Sequence, residues 1–399
     1  MSHFSRRGFL KGLAAGTGAL IGSRFPGASW IGEAKAADPP ASVVIVYLIG
    51  GYNSIFASAD SIVGKFGVTA GNHTVLGNGL AVDNVYANNF SKFALNHMAA
   101  VGVRHGITAH VEAVPANWSY KGKNAAFLLA SEMGGTGATK AALLKGPIAL
   151  GGRRTKVPLA EAANVSFDVV NDIAAKVKAL GGGPPDPRAP DRTIALSGMQ
   201  AARAMSDNSL QGSPQSLVTL GDGYDTAIGT LSSAPVKFDL PSLDTAYKLG
   251  GVTAVNSFAT KMCAAEVMVR SGTNVVGVLE DGWDTHNDVD GVRARNKMRA
   301  IIPAMSTFVE RMVQDETRNV TLVIMGDFSR SLPGSDHQPN LSATVVGRNV
   351  KQGTTGKTDN RVGLPSGTPN IEGLWSYLAT LTKVPKNPFG ANPHAKLVL

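Results

Sequence analysis

Continuous apolar runs rich in β-branched residues dominate the hydrophobic pattern of this chain. Three stand out, SVVIVYLI from Ser42, TNVVGVL from Thr273 and NVTLVIM from Asn319, and SATVVG from Ser342 is a shorter fourth. Hydrophobicity that is continuous, rather than alternating, is typical of strands covered on both faces of a parallel or mixed sheet. These four runs are therefore predicted to be buried strands.

Helical periodicity lies between the strand-like runs. The apolar residues at helical spacing are Val255, Phe258, Met262, Ala265 and Val269 before the second run, and Met298, Ile302, Met305, Phe308 and Met312 before the third. Such alternation of helix and strand is typical of βαβ units and predicts an α/β sandwich. Residues 153–251 are rich in alanine and contain few strand-like runs, so they are predicted to form a mostly helical insertion or cap.

The first 36 residues have the pattern of a twin-arginine export signal. SRRGFLKG joins Arg6 and Arg7 to an apolar stretch, and AKA, ending at Ala36, offers a small-residue cleavage site. The alternative is a basic amphipathic tail. We expect recognition by the twin-arginine export machinery, a periplasmic or extracellular location, and a single mature domain over residues 37–399. No other segment has the roughly 20 apolar residues that a membrane span needs.

Charge and cysteine content narrow the function classes. The formal net charge is +9, and residues 1–36 carry five basic residues and one acidic residue, so the mature chain keeps +5. Its lysines and arginines form no dense basic block, which disfavours nucleic acid and leaves a mild attraction for an anionic small molecule or a cell-surface component. The single cysteine, Cys263, excludes an intrachain disulfide and is predicted to be a packed thiol.

Polar residues follow the predicted strands at the ends where ligand sites of open α/β sheets form. After the first strand comes GGYNS, which places Asn53 at the rim. The residues that follow the second and third strands are Asp281, Asp284, His286, Asp327, Ser329 and Arg330, and the adjacent pair Asp336 and His337 comes next in a loop. We therefore expect acids, imidazoles and a guanidinium to gather at one edge of the sheet.

These side chains suit a divalent metal ion. Asp284 and His286 are two residues apart, so in extended backbone their side chains point the same way, and His337 is a candidate third ligand. Aspartate with neutral imidazole suits zinc, manganese or iron. The alternative is a set of satisfied polar residues at strand ends. His110 is expected in a polar loop facing the same edge, in contact with an anion or substrate, whereas Asp288 is expected in a solvated turn.

Several motifs together resemble a known family. The twin-arginine leader, GG after the first strand, GWDTH, TLVIMGDFSRS and DHQPNLSATVVGRNVKQG occur in this order. They resemble the exported bacterial family catalogued as domain of unknown function 1501, which is similar in fold to the alkaline phosphatase and sulfatase superfamily. The resemblance implies a three-layer α/β sandwich with a doubly wound, mostly parallel sheet. It also implies one or two divalent metals and the cleavage of phosphate or sulfate esters.

The same resemblance implies roles for individual residues. Asp284, His286 and His337 match metal ligands, Asp327 matches an acidic position after the third strand, and Arg330 matches an arginine able to bind an anion.

Three positions depart from the family pattern. Asn53 stands where the family has an aspartate, Ala109 replaces the hydroxyl of a nucleophile, and Ser329 replaces a glycine. A neutral amide binds a metal less strongly than a carboxylate, and alanine removes side-chain nucleophilic catalysis.

Two function classes follow. The favoured one is a non-catalytic exported protein with an altered metal site that binds a surface glycan, lipid or protein partner. The alternative is a metal-dependent hydrolase of phosphate or sulfate esters, in which Asp327, Arg330 and His110 take part in catalysis.

Overall fold

A mixed eight-stranded sheet forms the centre of the structure. The computed structural model describes residues 39–65, 67–133, 141–144, 165, 167–182, 192–209, 224, 228, 237–330, 332, 335–356, 364 and 366–399. The strands are β1 (Ala41–Leu48), β2 (Ala57–Ala59), β3 (His73–Val75), β4 (Leu80–Asp83), β5 (Met98–Val103), β6 (Ser119–Tyr120), β7 (Lys123–Asn124), β8 (Ala141–Leu144), β9 (Phe167–Val170), β10 (Val275–Glu280), β11 (Asn319–Gly326), β12 (Ser329–Arg330), β13 (His337–Gln338), β14 (Leu341–Gly347) and β15 (Gly353–Thr354).

The α-helices flank this sheet, and π-helical turns continue two of them. In chain order they are α1 (Asn84–Ala87), α2 (Lys92–Asn96), α3 (His110–Asn117), α4 (Ala125–Glu132), α5 (Ile173–Val177) with the π-helical Lys178–Gly182, α6 (Arg192–Ser209), α7 (Leu240–Tyr247), α8 (Phe258–Arg270), α9 (Val292–Phe308) with the π-helical Val309–Val313, and α10 (Ile371–Leu381). Short 3₁₀ turns are Asp60–Ile62, Gly77–Gly79 and Ala395–Leu397.

The strand order of the central sheet is β15-β5-β14-β11-β1-β10-β8-β9. The three long apolar runs of the sequence are the adjacent strands β11, β1 and β10, which pair in parallel. The fourth run, β14, pairs antiparallel with both β11 and β5, and it is the only reversed strand of this sheet among the residues described. The predicted α/β class with a mostly parallel sheet is confirmed.

Successive residues of β1 show why the protein has three layers. Val44 and Val46 pack into one core, with helices α8 and α9. Ile45 and Tyr47 point to the opposite face and pack into a second core, with helices α4 and α10. Since side chains alternate across a strand and both faces are covered by helices, a continuously apolar run is required here. The predicted sandwich is thus confirmed from both faces of one strand.

The described part of residues 153–251 is mostly helical, with α5, α6 and α7. It also contributes β9, which pairs in parallel with β8 at one edge of the central sheet. The extent of an insertion within this range stays a prediction. Residues from Pro39 to Leu399 form one compact unit, and the predicted export signal lies outside the described residues. Among the helices described, none has the length and apolar character needed to cross a membrane.

The Asp288 side chain caps the first turn of helix α9. Asp288 was predicted to be a solvated turn residue, but only 8% of it is exposed. Its carboxylate oxygens accept hydrogen bonds from the backbone nitrogens of Arg293 and Ala294, at 2.9 and 2.8 Å. The prediction for Asp288 was wrong because the two N–H groups at the start of a helix need acceptors that the helix cannot supply.

His394 makes the stability of the fold sensitive to acid. This side chain is fully buried, and neither ring nitrogen has a hydrogen-bond partner among the residues described. Burial lowers the pKa of His394 from 6.5 to about 4, so the folded protein keeps the imidazole neutral while the unfolded chain takes up a proton. Stability is therefore lost as the pH falls from about 6.5 towards 4. The full gap corresponds to about 3 kcal/mol.

We expect His394→Leu to abolish this part of the pH dependence. The measurement is urea unfolding of the wild type and the variant at a series of pH values between neutrality and about pH 4. Parallel curves for the two proteins across that range would contradict the assignment. His105, whose pKa burial also lowers to about 4, is present in both proteins and therefore cancels in the comparison.

Candidate metal centre

The turns after β1, β10 and β11 meet at one edge of the sheet. Leu48 pairs with Glu280 on one side and with Gly326 on the other, so the three carboxyl ends lie side by side. The glycines of the first turn are required by this approach. Gly50 and Gly51 have φ of 114° and 121°, and a Cβ on Gly50 would overlap the backbone of Asp284. A side chain at Gly50 would thus displace Asp284.

Three side chains converge at this edge in a geometry suited to a cation. One potential ligand atom each from His110, Asp284 and His337 lies within 4.8 Å of the others. His110 Nε2 is 3.7 Å from Asp284 Oδ2, and the His110 and His337 ring centroids are 4.6 Å apart. Two imidazoles and one carboxylate form a ligand set typical of zinc and other transition metals.

Hydrogen bonds on the far side of each ring settle how the two histidines face the cluster. His337 Nδ1 donates to the Thr108 carbonyl oxygen at 2.6 Å, and since a carbonyl only accepts, this nitrogen carries the proton. His110 Nδ1 donates in the same way to Asp327 Oδ2, also at 2.6 Å. In the neutral form, Nε2 of each ring therefore carries a lone pair. Nε2 of His110 lies 3.7 Å from Asp284 Oδ2, and Nε2 of His337 lies 3.5 Å from Arg330 Nη2. An Nδ1 hydrogen bond of this kind is the arrangement by which proteins orient metal-ligating histidines.

The protonation states agree with ligation. Partial burial lowers the pKa of His337, and the positive charge of Arg330 lowers it further, so the ring is neutral at neutral pH. Partial burial raises the pKa of Asp284, but Arg330, His286 and His110 together outweigh this and bring it below its usual value. The Asp284 carboxylate is therefore ionised.

An unsatisfied nitrogen marks the place for a cation. His110 Nε2 is buried and has no hydrogen-bond partner among the residues that the structure describes. A buried polar atom without a partner costs free energy, about 1–3 kcal/mol in typical cases. Its position beside Asp284 Oδ2 and His337 means that one bound cation would satisfy it. The residues present thus fit a metal ion.

The set of three differs from the set predicted from the sequence. The sequence pointed to His286 as the partner of Asp284, but His286 Nδ1 is hydrogen-bonded to Asp284 Oδ1 and its side chain is 48% exposed. His110, which was expected in a loop, is instead the first residue of helix α3 and takes the third place in the cluster. A ligand role for His286 stays a prediction, and its ring lies beside His337 with centroids 4.8 Å apart.

Arg330 is committed to the protein itself. Its Nη2 donates to Asp284 Oδ1 at 2.6 Å, its Nη1 to the Ser335 carbonyl at 2.7 Å and its Nε to the Gly50 carbonyl at 2.9 Å. The guanidinium is 1% exposed. It therefore acts as a fixed positive charge behind Asp284, and its binding of an external anion stays a prediction.

The departures from the family pattern each have a local structural consequence. Asn53 is 4% exposed, and its side-chain oxygen accepts a hydrogen bond from the Ile55 nitrogen, so the amide caps its own turn. Ser329 Oγ accepts from the Ser54 nitrogen at 3.1 Å and thereby ties the turn after β11 to the turn after β1. Ala109 precedes helix α3 and provides no side-chain cap.

Asn117 holds the backbone around Asp327 in place, and no pattern in the sequence pointed to it. Asn117 is fully buried, and its amide donates to the Asp327 carbonyl at 2.8 Å and to the Gly326 carbonyl at 3.2 Å. Asp327 in turn accepts from the Gly50 nitrogen and from His110. Asn117 lies 210 positions before Asp327 in the chain, and no motif in the sequence links them.

One protein-family model matches just under half of the chain. Residues 177–365 match the model of the family described as "Protein of unknown function (DUF1501)". Over this segment the chain is similar to the family that the sequence motifs resemble. The matched residues include Asp284, Asp327, Arg330 and His337 but not His110. No curated protein matches the chain.

Several solved structures share some of the backbone arrangement. An alkaline phosphatase from the Antarctic bacterium TAB5 has 10% identity and a TM-score of 0.37 over 88% of this chain and 99% of its own. The lipooligosaccharide phosphoethanolamine transferase A of Neisseria meningitidis has 9% and 0.36, over 97% and 63%. A putative sulfatase of Bacteroides thetaiotaomicron has 12% and 0.31, over 90% and 74%. The fold assignment rests on the strand order and layers, not on these weak likenesses.

Proposed function

We propose that this protein is exported and holds one divalent cation with His110, Asp284 and His337. The cation would in turn bind an anionic group of a small molecule or of a surface glycan, lipid or protein. The observation that carries the proposal is the convergence of one potential ligand atom each from His110, Asp284 and His337 within 4.8 Å, while Nδ1 of both imidazoles is hydrogen-bonded elsewhere. Zinc, manganese and iron suit this ligand set.

The cluster supports one cation rather than two. Arg330 already supplies a positive charge to Oδ1 of Asp284, which leaves Oδ2 for a metal. Oδ1 is also hydrogen-bonded to His286 Nδ1, so this carboxylate has no oxygen left for a second cation. Asn53, where the family resemblance implies an aspartate, turns its oxygen to the Ile55 nitrogen. We therefore expect a stoichiometry of one metal per chain.

Binding is favoured over ester hydrolysis. Among the residues described, no hydroxyl is hydrogen-bonded to His110 Nε2, and Ala109 lacks the oxygen of a nucleophile. A bound divalent cation would supply attraction for an oxyanion. Asp327, which is fully buried, would keep the His110 ring in its ligating orientation. No step in this function needs a covalent bond between protein and ligand.

Hydrolysis of phosphate or sulfate esters is the second candidate, and the His110–Asp327 pair favours it. A histidine whose Nδ1 donates to a buried carboxylate is the usual form of a general base. In the metal-free protein His110 Nε2 could accept a proton from a water molecule next to a bound ester. In hydrolysis the His110–Asp327 pair would transfer a proton. In the favoured function Asp327 only orients the His110 imidazole as a metal ligand.

Metal content and turnover together separate the two functions. The mature chain is purified, its metals are measured by mass spectrometry, and zinc, manganese and iron are titrated calorimetrically. Phosphate and sulfate esters are assayed with and without metal. We expect one metal per chain and no turnover. Turnover that is lost in His110→Ala would establish the hydrolase instead, and the absence of any metal binding would refute the proposed centre.

Export is tested through the leader. Replacing Arg6 and Arg7 with lysine should retain the protein in the cytoplasm, because the paired arginines are the feature of the leader that the twin-arginine machinery reads. The measurement is fractionation of cells followed by immunoblotting of the two forms. A variant that reaches the periplasm as efficiently as the wild type would contradict this route.

A further inference from the structure

A largely apolar pocket of about 280 Å³ is lined by residues of helices α5, α7 and α8 and of the segment after α7. We call it the leucine pocket, and its apolar walls come from Leu240, Leu243, Leu249, Ile173, Pro241 and Val252. None of these residues belongs to the His110–Asp284–His337 cluster. An apolar cavity of about 150 Å³ is large enough to hold benzene, so the leucine pocket has room for a longer hydrocarbon group.

Several apolar walls of the leucine pocket can be reached from solvent. Val252 is 44% exposed, and Leu240 and Leu249 are half-buried. Behind them, Ile173 and Leu243 are buried and belong to the core. An apolar group that enters the pocket would therefore cover side chains that now contact water. Removing such apolar surface from water is favourable in proportion to its area.

Hydrogen bonds hold the walls of the leucine pocket in place. Thr253 Oγ1 donates to Asp172 Oδ2 at 2.7 Å, and the Ile173 nitrogen donates to the Thr253 carbonyl at 2.8 Å. Helix α7 begins at a cap in which the Asp239 side chain accepts from the Ser242 nitrogen at 3.0 Å. These bonds connect the helices to the segment after α7. The pocket is thus preformed, and a ligand need not order its walls.

Asp244 gives the leucine pocket a negative charge. Among the described residues that line the pocket, it is the only charged side chain, and it is half-buried, so solvent and ligands can reach it. Its Oδ1 accepts from the Gly251 nitrogen at 3.0 Å, which fixes the carboxylate. Within the part of the chain that the structure describes, Asp244 forms no salt bridge with a basic residue. A carboxylate in apolar surroundings without a basic partner attracts a cation.

We propose that the leucine pocket binds a small amphiphilic amine. The ammonium group would pair with the Asp244 carboxylate, and the aliphatic tail would cover Leu240, Leu249 and Val252. Charge complementarity sets the sign of the ligand, because the carboxylate of a fatty acid of the same size would be repelled by Asp244. The apolar walls require the tail. This site is separate from the metal centre and does not depend on a bound metal.

The test is a calorimetric titration of the purified chain with hexylammonium, butylammonium and hexanoate, in the presence of EDTA so that no metal binds the amines. We expect hexylammonium to saturate the protein at millimolar concentration and hexanoate to bind at least about tenfold more weakly. Butylammonium should bind roughly 15-fold more weakly, because each buried methylene contributes about fourfold. Failure of hexylammonium to saturate, or equal binding of hexanoate, would overturn the proposal. Equal binding of butylammonium would indicate a shorter occupant, such as a lysine side chain of a protein partner, and would overturn it as well.

Two matched variants locate the binding. Asp244→Asn should weaken hexylammonium about tenfold or more and remove its advantage over hexanoate, because the charge is lost. The amide oxygen can still accept from the Gly251 nitrogen, so the wall is kept. Asp239→Asn makes the same change at the exposed cap of the same helix, outside the pocket walls, and asparagine caps a helix as well as aspartate. It should bind hexylammonium within about threefold of the wild type. Unchanged binding in Asp244→Asn, or an equal loss in both variants, would refute this site even if the metal centre is correct.

Discussion

Replacing His110 with alanine should weaken zinc binding by more than about 100-fold, whereas His286→Ala should weaken it by less than about tenfold. The reason is geometric. His110 Nε2 is buried and faces Asp284 Oδ2 and His337, so its removal leaves two ligands for the cation. His286 is half-exposed and bonded to the other oxygen of Asp284. It orients the carboxylate and does not take a place in the set of three.

The measurement is calorimetric titration of the wild type and both variants with zinc, with the fold checked by circular dichroism. Asp327→Asn is a graded control. The amide still accepts from His110 through its oxygen but carries no charge, so we expect a loss of about 10–100-fold, as for other residues that support a metal ligand. If His286→Ala abolished binding and His110→Ala did not, the ligand set of the sequence analysis would be right and the set proposed here would be wrong.

Replacing Glu266 with alanine should destabilise the protein by about 3 kcal/mol or more. The Glu266 side chain is fully buried in helix α8 and accepts from Arg311 twice, at 2.8 Å each, from Arg270 at 2.8 Å and from the Tyr247 hydroxyl at 2.9 Å. Removing the carboxylate leaves two arginines and a buried hydroxyl without their acceptor. Both arginine side chains are about 30% exposed, so water can partly solvate them once the carboxylate is removed. We therefore expect a loss of stability at the lower end of the range of about 3–5 kcal/mol for breaking a buried ion pair.

The Glu266 cluster also has a defined pH dependence. Burial raises the pKa of Glu266, but the hydrogen bonds and charges of Arg311 and Arg270 outweigh this effect. They hold the pKa below 4.5, the ordinary value for a glutamate. The stabilisation is therefore present above pH 4.5 and is lost as the pH falls through the lowered pKa. Urea unfolding at neutral and acidic pH measures both effects. Glu310→Gln, an exposed acid near Arg311, is the control and should change the stability by less than about 0.5 kcal/mol. Equal midpoints for Glu266→Ala and Glu310→Gln would contradict the prediction.

The strands and the position of the site were predictable because they depend on short-range patterns. The runs beginning at Ser42, Thr273 and Asn319 are continuously apolar because helices cover both faces of each strand, and the structure places them as the adjacent strands β1, β10 and β11. Polar residues directly after parallel strands must lie at one edge. The gathering of Asp284, Asp327 and Arg330 therefore follows from the chain order alone.

The contacts within that edge were decided by the tertiary structure. Which histidine completes the cluster depends on helix α3, because its first residue, His110, lies 174 positions before Asp284 in the chain. Local spacing favoured His286, because residues two apart share a side of extended backbone. The structure instead places His286 Nδ1 on Oδ1 of Asp284 and His110 Nε2 beside Oδ2.

The contacts of Arg330 also could not be predicted from the sequence. Its place after β11 was evident from the sequence, but its commitment to Asp284, Gly50 and Ser335 was not. A guanidinium near a site binds an external anion or internal carbonyls according to which acceptors the fold brings within reach.

The sequence by itself determined the class of fold, the edge at which the site lies and the types of ligand available there. Only the tertiary structure decided which ligands meet and which charge is already neutralised, because those outcomes depend on distances between elements far apart in the chain.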